Sequence, residues 1–133
     1  MKGSVVDYVV LLHANWCGWC KRLMPEWRKV KKQYATIDLE VTKYPEIRAL
    51  FQVQSFPTIA IVRIHRSEQG HYRLLMKTFK TNGGERNART ISAWLEKSRL
   101  VSPKKAPRAP RFLGAIQKIH TLQRKRNSHA KLA

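Results

Sequence analysis

The only two cysteines of the chain stand three residues apart, in Trp16-Cys17-Gly18-Trp19-Cys20-Lys21. Two thiols at this spacing can close a small, reversible disulfide. A cysteine that opens a helix has its thiolate favoured by the free N–H groups and the dipole of the first turn. Lys21 and Arg22 follow at once and add positive charge. The expected division of labour makes Cys17 the exposed, attacking sulfur and Cys20, one turn inside the helix, the resolving one. Such a pair also serves as half of a zinc site, but the second half is missing, as is any larger disulfide framework. His13, His65, His71, His120 and His129 show no metal-ligand spacing, so neither a metal nor another cofactor is expected. His13, four residues before Cys17, is read as a structural residue, although its titration range would suit proton shuttling.

The elements that must hold this pair read as alternating strands and helices. Val5 to Ala14 is a nearly continuous run of Val and Leu, the pattern of a central strand buried on both faces. From Cys17 to about Tyr34 the spacing turns helical, with Leu23, Trp27, Val30 and Tyr34 on one face and Lys and Arg on the other. Ile37 to Leu39 reads as a short strand, and Pro45 to Phe51 as a helix with proline in its first turn. Strands follow over Thr58 to Ile64 and Tyr72 to Phe79, joined by a turn at Glu68-Gln69-Gly70. Asn82-Gly83-Gly84 closes the second, and a last helix spans Ala88 to Ser98. The order β-α-β-α-β-β-α predicts an α/β domain, a mixed sheet flanked by helices.

On these residues the chain resembles the thioredoxin superfamily from about Val5 to Leu100. The resemblance rests on the apolar strand into Ala14-Asn15-Trp16-Cys17-Gly18-Trp19-Cys20-Lys21 and on Pro25 five residues beyond Cys20. It rests further on Ile37-Asp38, Pro45-Glu46-Ile47-Arg48, Phe51-Gln52-Val53 and Ser55-Phe56-Pro57-Thr58-Ile59. It implies a protein disulfide or dithiol as substrate and a cis peptide bond before Pro57. It also implies a Phe56–Pro57 loop that faces the cysteines and offers backbone hydrogen bonds to an extended substrate. Trp16 and Trp19 flank the sulfurs as an apolar lip for that substrate, while Trp27 belongs to the core.

Three departures from the family pattern carry consequences. The strand position six residues before the first cysteine, where the family often has a buried carboxylate that helps deprotonate the resolving thiol, is Leu11. The nearest acid of the strand is Asp7, so release of a mixed disulfide is expected to be slow. The inner dipeptide is Gly18-Trp19, where thioredoxins usually have Gly-Pro and protein disulfide isomerases Gly-His. The chain also starts almost at the central strand, so the expected fold is a minimal, N-terminally trimmed thioredoxin-like one with an open sheet edge that invites a partner.

Charge is the compositional outlier. The net charge is +19, from 27 Lys+Arg against 8 Asp+Glu, which points to a polyanionic partner. The first helix carries Lys21, Arg22, Arg28, Lys29, Lys31 and Lys32 against Glu26, read as a docking face for an anionic partner. Residues 101–133 hold no acid, and they open with Pro103, Pro107 and Pro110, read as an extended linker. We place a boundary there, with a thioredoxin-like domain over 1–100 and a basic arm over 101–133. Beyond the linker, Phe112, Ile116 and Ile119, supported by Leu113 and Leu122, form the apolar stripe of a short amphipathic helix, followed by Arg124-Lys125-Arg126. Such a helix forms only when its apolar face docks.

With no nucleic-acid-reading motif in the sequence, contacts from Lys104, Lys105, Arg108, Arg111, Arg124, Lys125 and Arg126 would be to phosphates, non-specific and salt-sensitive. Two functions follow. One is a thiol–disulfide oxidoreductase anchored by its basic arm in a large assembly. The other is a structural component of a particle, a minor capsid protein of a large virus or a part of a ribosome-like particle, with the fold as a building block and little turnover. No apolar run is long enough to span a membrane, and the first residues do not make a signal peptide because Asp7 interrupts them. The expected location is the cytoplasm or a particle assembled there.

Overall fold

A computed structural model describes residues 3–81, 85–101 and 109–132, with the side chains of all of these except 109–110 and 126–132. Four strands form one sheet: β1 (Ser4–His13), β2 (Thr36–Glu40), β3 (Thr58–Arg66) and β4 (Tyr72–Thr78), in the order β2-β1-β3-β4. β1 runs parallel to β2, with Leu11 opposite Asp38 and His13 opposite Glu40, and antiparallel to β3, with Asp7 opposite Arg63. β3 and β4 are antiparallel. The helices are α1 (Gly18–Gln33), α2 (Pro45–Phe51), α3 (Ala88–Lys97) and α4 (Ala109–Leu132), and a short 3-10 turn covers Val41–Lys43. The chain is thus the α/β domain with a mixed sheet that the alternation of patterns implies.

β1 is apolar throughout its middle because it is central, with neighbours on both edges and helices on both faces. Side chains alternate along a strand. Val10 and Leu12, with Ala60, Val62 and Ile64 of β3, face Ile47 and Phe51 of α2. Val9 and Leu11, with Ile59 and Ile61, face Leu23, Trp27 and Val30 of α1 and Ile91 and Leu95 of α3. The indole of Trp27 is completely buried and donates to Asp38 Oδ1 at 2.8 Å, tying α1 to β2. Pro25 lies inside α1, where it removes one helical N–H donor. α3 is entered through Asn87, whose side chain accepts from the Thr90 N–H while the Thr90 hydroxyl accepts from the Asn87 N–H, a reciprocal cap.

The C-terminal segment differs from its expected form. Its helix is not short: α4 runs for 24 residues and includes Arg124-Lys125-Arg126. Pro110, read as linker, is the second residue of this helix, a position where an N–H would have no intrahelical acceptor and proline is tolerated. The apolar stripe docks on the chain itself. Phe112 and Ile116 are buried in the cluster formed by α2 and the sheet, and the Phe112 ring lies 5.0 Å from that of Tyr8. Helices therefore cover both faces of the sheet, α1 and α3 on one and α2 and α4 on the other. α4 is thus held to the rest of the chain by core contacts of its own. Lys104, Lys105, Arg108 and the Asn82-Gly83-Gly84 turn lie outside the described residues, as does the Arg126 side chain. Arg111, Arg124 and Lys125 are exposed.

At the far end of β1 from the cysteines, the buried carboxylate of Asp7 accepts from Arg63 Nε at 2.8 Å, Arg63 Nη2 at 2.9 Å and the Val101 N–H at 2.7 Å. Burial alone would raise the Asp7 carboxyl. The Arg63 and Val101 hydrogen bonds and the charges of Arg63 and His65 outweigh it and hold the group below its ordinary range. Asp7 is thus a structural clamp between β1, β3 and the segment after α3.

Candidate active site

β1 ends at His13, and Ala14, Asn15 and Trp16 turn the chain into α1. The turn is fixed by the Cys17 N–H donating to the Ala14 carbonyl at 3.1 Å and the Asn15 N–H donating to Glu40 Oε1 at 3.3 Å. Glu40 ends β2 opposite His13, and it also accepts from the Thr42 N–H and hydroxyl. The Thr42 hydroxyl first, then the Thr42 and Asn15 N–H groups and the charge of His13, keep the Glu40 carboxyl below its ordinary range against the opposing effect of burial. Glu40 was not singled out in the sequence because a lone acid at a strand end carries no motif. Thr42 is local, but Asn15 and His13 are brought to it only by the parallel pairing of β1 with β2.

Cys17 is the N-cap of α1, and its sulfur accepts from the Cys20 N–H at 3.2 Å. Across the site the Cys17 S–H donates to the Phe56 carbonyl at 3.4 Å. The Phe56–Pro57 peptide bond is cis, and its loop therefore faces the dithiol as expected from the resemblance. Exposure of the attacking sulfur is corrected: Cys17 is only 5% exposed, nearly as buried as Cys20 at 4%. The cause is its seat between the first turn of α1 and the Phe56 carbonyl. Both cysteines are free thiols.

The apolar lip is in place. Trp16 and Trp19 are 69% and 67% exposed, the Trp16 ring meets Phe56 edge-on at 5.7 Å, and Arg22 lies 4.9 Å from the centre of the Trp19 ring. Pro57 is buried behind this rim and Phe56 half-buried. Beside the rim opens a cleft of about 840 Å³, bounded by the first turns of α1, the Ser55–Pro57 loop and the segment before α3, including Arg86.

The Cys20 thiol is pushed up to about 11, first by burial and then by its hydrogen bond with Cys17, while the Ala14 backbone and the positive charge of Arg86 pull the other way. Arg86 is the second residue that sequence reasoning missed, since it precedes α3 and is 66 positions from Cys20 in the chain. Among the described residues, no carboxylate acts on Cys20. Leu11 is fully buried in the apolar cluster under α1, and Asp7 is engaged elsewhere. Of the basic face of α1, all six cations are exposed, Lys29 pairs with Glu26 at 2.7 Å and Lys31 with Asp38 at 2.8 Å. No helix of the described residues is long and apolar enough to cross a membrane.

This geometry agrees with the comparisons to known proteins. The model of the family described as Thioredoxin matches residues 2–97. A thioredoxin-like protein of Synechocystis is 30% identical over 76 residues, which are 51% of this chain and 72% of that protein. The protein disulfide-isomerase like 2-2 of Arabidopsis thaliana is 36% identical over 73 residues, 49% of this chain but 15% of that much longer protein. Among solved structures, the Trx4 domain of ERdj5 superposes with a TM-score of 0.55 at 18% identity, covering 70% of this chain and 79% of that one.

Proposed function

Because the chain belongs to the thioredoxin family, we propose that it exchanges disulfides with protein substrates through Cys17 and Cys20. The observation that carries this reading is the seat of Cys17, with its sulfur accepting from the Cys20 N–H and set against the Phe56 carbonyl of the cis-proline loop. In the reducing direction the Cys17 thiolate attacks a substrate disulfide. One substrate sulfur leaves as a thiolate and takes a proton, and Cys17 is left in a mixed disulfide. Cys20 then loses its proton and attacks the Cys17 sulfur. The second substrate sulfur departs, and the two electrons gained by the substrate have come from the dithiol, now the Cys17–Cys20 disulfide.

An extended substrate would lie along Ser55–Pro57 with its apolar side chains on Trp16, Trp19 and Phe56. Arg86 favours the Cys20 thiolate at the resolving step, and Glu40 positions the turn that carries Cys17. The alternative, a structural component of a viral or ribosome-like particle, draws nothing from the relatives, and the apolar face of α4 is already used by the chain's own core. Contacts of the basic residues of α4 with a large assembly or with nucleic-acid phosphates remain a proposal separate from the chemistry.

The test is reduction of a disulfide-bonded test protein with dithiothreitol as electron source. The full chain should accelerate the reaction well beyond dithiothreitol alone, and Cys17→Ser should abolish the acceleration. A full chain no faster than the same concentration of a simple dithiol would overturn the reading.

A further inference from the structure

We propose that the trough between α4 and the β3–β4 turn binds a single strand of nucleic acid, with phosphates on a row of cations and a base on the ring of Tyr72. The site is independent of the dithiol. Arg66 and Tyr72 pair across the hairpin, and Arg66 also lies opposite Ser4, the first residue of β1. The cysteines follow the other end of that strand, about 30 Å away at the rise of an extended chain.

The trough consists of two adjoining cavities of about 370 Å³ and 600 Å³, both lined by Tyr72 and Leu122. Arg66 and Lys118 line the first, and Lys125, Leu50 and Leu74 the second. No acid among the described residues lines either cavity, and Glu68, in the turn itself, lines neither. Arg66, Lys118 and Lys125 form no salt bridge among the described residues.

The cations continue beyond the trough. Arg111, Lys118 and Lys125 recur every seven residues along α4, and all are exposed. Two helical turns return a side chain to within about 20° of its starting direction, and seven residues rise about 10.5 Å. The row is therefore nearly straight and about 21 Å long. Beside it, Tyr72 is half-buried against the core cluster, and its ring pairs with no other ring among the described residues. A cationic groove that follows the backbone, with an aromatic ring on which a base stacks, is the arrangement that holds single strands without reading their sequence.

Other occupants fit less well. A second copy of the chain is repelled by a net charge of +19 on each. A lipid surface takes up an amphipathic helix by its apolar face, and Phe112 and Ile116 of α4 are already buried in the core. An acidic peptide meets the cations but offers Tyr72 no flat base. A charge on every unit of a backbone matches an even row of cations.

The experiment uses the full chain and the fluorescence anisotropy of a labelled oligouridylate of about eight nucleotides, within the span of such sites. A glutamate oligomer of equal charge is the competitor. Lys118→Gln/Lys125→Gln should flatten the slope of log affinity against log salt by about 1.4, at roughly 0.7 per single-strand phosphate. Arg28→Gln/Lys32→Gln, which removes the same charge from exposed positions of α1, should leave the slope unchanged. Tyr72→Leu keeps an apolar side chain against the core and should lower affinity about tenfold, the order of one lost base stack, while Tyr72→Phe should retain it. The glutamate oligomer should displace the RNA only at about tenfold excess or more. Equal flattening by the two double variants, or no effect of Tyr72→Leu, would show attraction by net charge alone and overturn the proposal. A glutamate oligomer bound as tightly as the RNA would overturn it too, and would make the trough a site for acidic peptides.

Discussion

Release of substrate by Cys20 should be the pH-limited half of the cycle, and its profile is calculable. In the free dithiol the Cys20 thiol is pushed up to about 11, first by burial. In the mixed disulfide the hydrogen bond and charge of Cys17 are gone but the burial remains, so the thiolate stays the minor form and its fraction grows about tenfold per pH unit. The release rate should therefore climb about tenfold per pH unit, about a hundredfold from pH 7 to 9. Arg86→Gln removes the positive charge that favours the thiolate and should shift the curve to higher pH, lowering release at every pH below the inflection. The assay is rapid mixing of the reduced protein with a fluorescent peptide disulfide in the absence of other thiols. Capture by Cys17 and release by Cys20 appear as separate phases, and Cys20→Ser should abolish the second. A release phase that changes less than about threefold between pH 7 and 9, or that levels off below pH 8, would show that Cys20 finds a base the structure does not provide.

Three further outcomes follow from the packing. Phe112→Ala should destabilise the chain by about 3–4 kcal/mol in urea unfolding, because it empties a buried site against Tyr8 in the main core; a loss under 1 kcal/mol would mean that α4 is not part of the folded unit. Asp7→Asn should cost about 2 kcal/mol at pH 7, below the usual figure for a buried pair because the Arg63 side chain is about a third exposed. The folded carboxyl is depressed, so its contribution is complete above the unfolded value near 4 and fades as pH falls through the lower folded value. Acid titration of stability below pH 4 should accordingly be shallower in the variant than in the parent. Glu40→Ala should raise amide exchange at Asn15 by about tenfold or more, since that N–H loses its acceptor; unchanged exchange would remove Glu40 from the positioning of the Cys17 turn.

What the sequence disclosed is what leaves a periodic or local signature. Val5 to Ala14 read as a central strand because burial on both faces makes every position apolar, and Pro45 to Phe51 read as a helix because proline at its start marks the first turn. The dithiol and the Ser55-Phe56-Pro57 loop were legible as motifs separated by a predictable number of elements. Glu40 and Arg86 were not, because each acts across a tertiary contact, Glu40 through the β1–β2 pairing and Arg86 from a segment before α3. The docking of Phe112 was half legible. The stripe showed that something must cover it, and only the fold shows that this is the sheet face shared with α2. The burial of Cys17 escaped notice for a similar reason, since its cover is a backbone carbonyl and not a side-chain type.

The placement of acids along β1 explains why the burden falls on release. Asp7 and Leu11 share a face of the strand, but four residues separate them, about 13 Å at the rise of an extended chain. Both Asp7 oxygens are already engaged, by Arg63 and the Val101 N–H, so it cannot serve as a proton relay for Cys20 without breaking the clamp between β1, β3 and the segment after α3. Glu40 is nearer in the fold to the cysteine turn, yet it is held below its ordinary range by donors that a protonated carboxyl would lose. The proton of Cys20 must then leave to solvent or to a group brought by a bound molecule. Changes at Trp16, Trp19 or Phe56 should therefore alter capture of the substrate, whereas a change at Arg86 should alter how soon Cys17 is freed again.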